Sequence, residues 1–465
     1  MHNNTKMKLM VSNFALVFLF NFSFSQSNPA YFKSEIDFGG GTVISTFLDV
    51  SVTKNQFTIT SPKNADVRIM GGKARLGRLL GKSPKKGSII TIQGEQKTDS
   101  LFGKVNIPMF GRLTFKGIVK SDSSTLISTV LSGELLNTEG VSIGTISGVK
   151  STENRINYTE LYPKMMKTIQ ENIYSKSVLQ TKEWKKFEKE IQNLCQNSHD
   201  DIELFFGFNI LAQQLPFSHL SLTIAQDIAE EDETEELTST KKSVVFEEKN
   251  NTTAYLLIKN FSTSTTELAA TLPKIVANQN YKNLIVDLRN NPGGGVEAAF
   301  EFAKYITDSD MEVGYFLTNK LQYVGYQPEL FKTLPELQPK GTTEFTDELK
   351  ASPGVKLIFK KPNNPVFTGK IYILTNGNTA STCEPIVYIL KSSKKATIIG
   401  EKTHGGMLSA CPFAVSGKYM LILPIADFYT SDGVRLDRVG VSPDIEVKSE
   451  DALNKALEII NGGEN

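Results

Sequence analysis

Residues of the types needed for acyl-transfer chemistry stand far apart in this sequence. Ser381 lies in TNGNTASTCEP, between an apolar run, Ile371 to Leu374, that reads as a buried strand and a second apolar run that Pro385 can open as a helix. A serine in such a turn sits at the positive end of a helix dipole, where backbone N–H groups point outward and can stabilise an oxyanion. Thr379, Ser381 and Thr382 also fit plain helix capping, because hydroxyl residues are preferred there. Ser218-His219, in LPFSHLSLTIAQ, offers an imidazole that is largely neutral near pH 7 yet able to take a proton. Alone it is equally a polar pair at a helix-to-strand change. Asp437, in RLDRVGVSPD, offers a carboxylate able to accept a ring N–H. The turn NNPGGG, Asn290 to Gly295, combines a fixed dihedral at Pro292 with glycines that permit positive φ, and its N–H groups suit an oxyanion or a phosphate. No Gly-Lys-Ser/Thr follows, which excludes a Walker loop.

In order and spacing, Leu284 to Ile306, the Ser381 segment, GEKTHGG (Gly400 to Gly406) and VGVSPDIEV (Val439 to Val447) resemble the core of a serine peptidase family. That family includes the C-terminal processing (tail-specific) proteases, the tricorn core protease and interphotoreceptor retinoid-binding protein. The resemblance implies an α/β core of the ClpP/crotonase-like peptidase type, with Ser381 as nucleophile. In the tricorn type a Ser-His pair after a helical segment supplies the base, which implies His219 assisted by Ser218. That type places a glutamate three residues before the glycine of Gly-Val-x-Pro-Asp. Asp437 holds this position with a side chain one methylene shorter, orienting the ring. The glycine turn implies an oxyanion N–H from Gly294, or failing that Gly293, with the backbone of Thr382 as second donor.

Lysine-type relatives carry their base in the Lys402 to Gly406 turn, one residue after a glycine, where this chain has Gly406. The missing lysine favours the histidine mechanism. His404, in the same turn, is the competing base, whereas His199 lies among Asn197, Ser198, Asp200 and Asp201 at a helix start and suits capping. The function implied is that of an exported serine endopeptidase that takes a peptide or unfolded protein tail as an added strand. A rival from another class is a non-catalytic ligand- or peptide-binding protein on the same scaffold, as the retinoid-binding relatives show. A third reading, Cys383 as nucleophile, places the thiol inside the predicted helix. No cofactor is expected.

Around these residues the chain has 465 residues, 40% of them hydrophobic and 22% charged, ordinary globular material of several domains. A net charge of +1 argues against a nucleic-acid partner. Lys6 and Lys8 precede an apolar run from Leu9 to Phe24, with Ser23 and Ser25 placed for a signal peptidase, so residues 1–25 read as a signal peptide and the mature protein as periplasmic, cell-surface or secreted. No cysteine follows that run to take a lipid anchor. Cys195, Cys383 and Cys411 match no zinc spacing and leave at least one thiol unpaired, with a Cys383–Cys411 bridge left open.

Short alternating runs over 26–153 predict an all-β accessory domain, including strands at 88–92, 112–119 and 125–131. The period turns helical over 154–226, with Trp184, Phe187, Ile191, Leu194 and Cys195 on one face. This predicts a small helical bundle leading into the Ser-His strand. An acidic linker is expected over 227–254, too short for a PDZ module. The α/β core is expected over 255–450, with 315–366 as a lid or surface insertion, and a C-terminal helix or tail over 451–465.

Overall fold

The computed structural model describes residues 31–38, 43–53, 55–61, 90–98, 100–106, 112–121, 129–153, 155–225, 242–338 and 341–462. The expected signal peptide and the acidic run 230–236 lie outside the described residues.

Period-2 alternation builds the first unit. Strands β1 (Tyr31–Asp37), β2 (Val43–Thr53), β3 (Gln56–Thr60), β4 (Thr91–Lys97), β5 (Ser100–Asn106), β6 (Leu113–Ser121), β7 (Thr129–Leu136) and β8 (Ser142–Ser151) pair in sequence order, and β1 pairs with β8 to close a barrel. Of the strand expected at 125–131, only the part from Thr129 is described, and it runs on to Leu136. The barrel interior is packed with Phe32, Ile36, Phe57, Ile59, Phe115 and Leu131. A Cβ on Gly117 or Gly133 would meet the Phe115 ring at 2.3 and 2.4 Å, so these strand glycines leave the space the ring fills.

Three helices follow: α1 (Leu161–Asn172), α2 (Lys182–Asn197) and α3 (Asp201–Ala212). The predicted stripe of α2 is buried. Asp200 caps α3 by accepting the Glu203 N–H at 3.0 Å, while Glu203 reaches back to the His199 N–H and ring, a capping box that occupies His199. These helices have no core to themselves, because their apolar cluster runs on into Leu408, Val415, Leu421 and Leu423 of a neighbouring sheet. Asp200 and Asp201 also bind the barrel. Asp200 accepts from Thr46 Oγ1 at 2.5 Å, and Asp201 from Ser45 N at 2.7 Å, Lys418 Nζ at 2.6 Å and the hydroxyls of Tyr158 and Tyr419.

The remaining chain forms two sheets. β9 (Ser221–Ile224) pairs with a strand of the second of them. In the first, β10 (Val244–Asn250), β11 (Thr253–Ile258), β12 (Asn283–Asp287), β15 (Lys370–Thr375), β16 (Ala396–Gly400) and β19 (Ile445–Glu446) lie in that order. Helices α4 (Thr265–Ala277), α5 (Val296–Ala303) and α8 (Cys383–Ser392) fall between strands that pair in parallel. β12 is buried along its whole length, as a central parallel strand covered on both faces must be. The second sheet runs β14 (Gly354–Phe359), β13 (Met311–Thr318), β18 (Tyr419–Thr430), β17 (Ser409–Ser416). Helix α9 (Ala452–Gly462) covers the outer face of the first sheet through Ala452, Ala456 and Ile460.

Two expectations are corrected. Residues 244–250 of the supposed linker are β10, an edge strand in a hairpin with β11, whose Glu247, Glu248 and Lys249 hid it because one face meets solvent. Nor is 315–366 a simple lid. It carries the second half of β13 and all of β14, while Tyr323, Tyr326 and Phe331 pack against Tyr315 and Tyr429. The connection between them, with the single turn α6 (Pro328–Phe331) and helix α7 (Thr342–Ala351), lies outside the sheet.

Candidate active site

β15 ends at Thr375, and the turn after it is fastened before Ser381 is reached. Thr379 Oγ1 donates to the Leu288 carbonyl at 2.8 Å and the Ala380 N–H to that of Asn291 at 3.0 Å, tying the turn to the loop that leaves β12. Ser381 then adopts φ +55°, a left-handed conformation that a side chain pays for in strain. His219 (φ +61°), Asn290 (φ +62°) and Arg438 (φ +61°) share it, so four of the non-glycine residues with positive φ gather in this region.

Gly293 packs so closely on Ser381 that a Cβ there would lie 2.6 Å from Ser381 Cβ. Its N–H is turned inward to Asn291 Oδ1 at 2.9 Å. Gly294 has φ +137°, and its carbonyl accepts Thr382 Oγ1 at 2.5 Å. The N–H groups of Gly294 and Thr382 have no hydrogen-bond partner among the described residues.

The imidazole comes from the turn between α3 and β9. Ser218 Oγ lies 2.6 Å from His219 Nδ1 and donates to Asp437 Oδ1 at 2.5 Å. The hydroxyl has one proton, which goes to the carboxylate, so it accepts the Nδ1 proton and leaves the Nε2 lone pair free. Asp437 therefore meets the ring through Ser218, in place of the direct hydrogen bond expected. The shorter acid is complemented by the intervening hydroxyl. Asp437 also accepts the N–H groups of Ser218 at 3.2 Å and Met407 at 3.1 Å and lies 3.6 Å from Arg435, which is paired with Asp427. Burial pulls the His219 pKa below its ordinary value. Asp437 opposes that shift, while the nearby His404 and Arg438 add to it.

Glu384 was not singled out by sequence. Its carboxylate is fully buried and accepts Thr403 Oγ1 (2.6 Å) and the N–H groups of Gly405 (2.7 Å), Gly406 (2.8 Å) and Ser381 (3.3 Å). Burial raises its pKa and these bonds oppose the rise. Ser381 N–H also donates to the Gly406 carbonyl at 3.0 Å. The strip Thr403 to Met407 is thus held by Glu384 from the serine side and by Asp437 from the histidine side. No spacing rule announces such a carboxylate. The only cue was a lone acid at the start of an apolar helix.

His404 is exposed, and its Nδ1 lies 3.1 Å from the Gly377 carbonyl. All three cysteines are free and buried, which rules out the Cys383–Cys411 bridge, and burial raises the Cys383 pKa, the opposite of what a thiolate nucleophile needs. Among the described residues no cluster of acidic, histidine or cysteine side chains could hold a metal ion.

A strand-turn-helix serine, a glycine loop against it and a distant Ser-His pair are the parts of a peptidase centre, and the family model of peptidase family S41 matches residues 252–447. This region belongs to peptidase family S41. Similar proteins include the chloroplastic C-terminal processing peptidase of Tetradesmus obliquus, 24% identical over 42% of this chain and 35% of that protein. A probable CtpA-like serine protease of Staphylococcus epidermidis is 26% identical over 50% of this chain and 41% of that one. The chain therefore spans well under half the length of either relative. The crystal structure of the tricorn protease aligns with 89% of this chain and 52% of its own, at 12% identity and a TM-score of 0.40, a likeness too slight to carry an argument. No helix among the described residues is long and apolar enough to cross a membrane.

Proposed function

We propose that this protein is a serine endopeptidase that hydrolyses peptides or unfolded protein tails by a Ser-His-Asp mechanism relayed through Ser218. The observation that carries the reading is the hydrogen-bonded series Asp437, Ser218, His219, which leaves Nε2 as the basic nitrogen. In this reading Nε2 takes the Ser381 hydroxyl proton as Oγ attacks the scissile carbonyl. The developing oxyanion is met by the N–H groups of Gly294 and Thr382. The imidazolium is stabilised by Asp437 through Ser218 and returns the proton to the departing amine, and a water activated by the same nitrogen then frees the acyl group.

Gly294 remains the donor of choice because its N–H is unpaired. A Cβ there would lie 2.3 Å from Ser262 N, so only glycine fits. The substrate is proposed to dock as an added strand, and export is proposed from the apolar run that follows Lys6 and Lys8.

The test is to incubate the mature protein with a fluorophosphonate probe and map the label. Labelling at Ser381, lost in Ser381→Ala, is expected. A folded protein that takes no label and cleaves no peptide would instead be the ligand-binding scaffold.

A further inference from the structure

Asp437 and the residue after it grip a single peptide unit from both sides. Asp437 Oδ2 accepts the N–H of Ser218 at 3.2 Å, and Arg438 Nη2 donates to the carbonyl on the other side of that same peptide bond, Phe217 O, at 2.5 Å. Nη2 also reaches Leu215 O at 3.1 Å, so it bridges two carbonyls of the chain that has just left α3. The main chain of Arg438 is fixed in turn, its N–H donating to Gly405 O at 2.6 Å from a left-handed φ of +61°. The peptide so held leads directly into His219, itself at φ +61°. A non-glycine residue keeps that conformation only where its surroundings impose it.

From this geometry we infer that Arg438 is a positioning residue for the general base: by holding the Phe217–Ser218 peptide against Asp437 it fixes where the His219 ring stands relative to Ser381. The inference rests on the proposed role of His219. Arg438 touches neither the serine nor the ring by hydrogen bond, and its effect passes through the backbone. Much of its side chain faces solvent, so its replacement removes the grip without opening the core. The Arg438 guanidinium also adds to the downward shift of the His219 pKa.

The experiment compares wild type, Arg438→Met, Arg438→Lys and His219→Ala on one fluorogenic peptide across pH. Loss of the grip in Arg438→Met should lower kcat by roughly ten- to a hundredfold with KM little changed, since displacing a reacting group by about an ångström costs on this scale. Its acid limb should move to higher pH, because imidazolium forms more readily once a neighbouring cation is gone. Arg438→Lys, which retains the charge and a donor, should recover part of kcat and keep the wild-type limb. A raised KM with unchanged kcat would mark Arg438 as a substrate contact and overturn the inference, as would a Met variant with wild-type kcat and limb. Full activity in His219→Ala would instead remove the underlying assignment of the base. Should Arg438→Met be unfolded at assay temperature, Arg438→Gln, whose amide can still donate to one carbonyl, takes the same two readouts.

Discussion

A Cβ built on Gly406 would lie 3.6 Å from His219 Cε1 and 3.1 Å from His404 Cδ2. The histidine at 219 thus stands where a side chain from position 406 would begin. By the resemblance drawn from sequence, position 406 corresponds to the lysine of the lysine-type members, which makes a base delivered from either segment testable.

Gly406→Lys introduced into His219→Ala, where the ring is gone, should therefore raise turnover at alkaline pH by at least about tenfold over His219→Ala alone, as a lysine must be deprotonated to act. Gly406→Lys in the wild-type background should be inactive, since the new stem meets both rings. Peptide hydrolysis at pH 7 to 10 checks both. No gain in the double variant would show that the two base positions do not converge.

The acid limb of kcat/KM should fall below the ordinary histidine value of about 6.5. Burial disfavours the imidazolium, so a lower pH is needed to protonate and silence the base. His404→Ala should retain a substantial fraction of activity with a small upward shift of the limb, because one of the neighbours that add to the downward shift of His219 has been removed. His219→Ala should lose nearly all turnover. A wild-type limb at or above 6.5, or the reverse ranking of the two variants, contradicts the assignment.

Glu384→Gln places an NH₂ group among four donors and leaves at least one buried N–H or hydroxyl unpaired, at about 1–3 kcal/mol for each. Thermal stability should drop. Because the strip from Thr403 to Met407 carries the Gly406 carbonyl that receives the Ser381 N–H, kcat/KM should also fall by roughly 10² through misplacement of the serine. A stability loss without a rate loss at low temperature would confine Glu384 to a structural role.

At the junction with the barrel, burial pushes the Asp200 pKa up to about 6 from 3.8, against the bonds from Glu203 and Thr46. The folded state then holds a proton that the unfolded chain releases, so this group favours folding below pH 3.8 and loses that contribution as pH rises through 6. The displacement corresponds to about 3 kcal/mol. Asp200→Asn, which keeps a capping side chain, should therefore be more stable than wild type at pH 7.5, with the gap closing as pH falls to 4. Chemical denaturation at both pH values checks it. A variant less stable than wild type at pH 7.5 would mean that the cap and the Thr46 bond outweigh the burial of charge.

The same junction alters what removal of the barrel should do. From sequence, every candidate catalytic residue lies beyond residue 153, and the period change near Tyr158 looks like a clean boundary. In the folded protein Asp201, which accepts from Ser45 of the barrel, also accepts from Tyr419 and Lys418 of the sheet whose strand β18 pairs with β9. Truncation before 153 would strip partners from two buried carboxylates.

What the sequence made legible was local. Ser381 and the Ser218-His219 pair were visible because each sits in a motif a few residues long, and α2 because its stripe repeats at the helical period. Glu384, Arg435 and Arg438 were not, since each acts on a backbone or carboxylate contributed from elsewhere in the chain. Strands β13 and β14 were hidden by the proline- and lysine-rich connection between them. Gly294 was preferred to Gly293 only by resemblance, and the inward hydrogen bond of the Gly293 N–H is a contact that no spacing announces.

Closure of β1 on β8 leaves no strand at an open edge of the barrel among the described residues. A protein proposed to receive extended, unfolded polypeptide meets chains ready to pair with any exposed edge. The barrel offers none, so such chains have no foothold on it for backbone pairing.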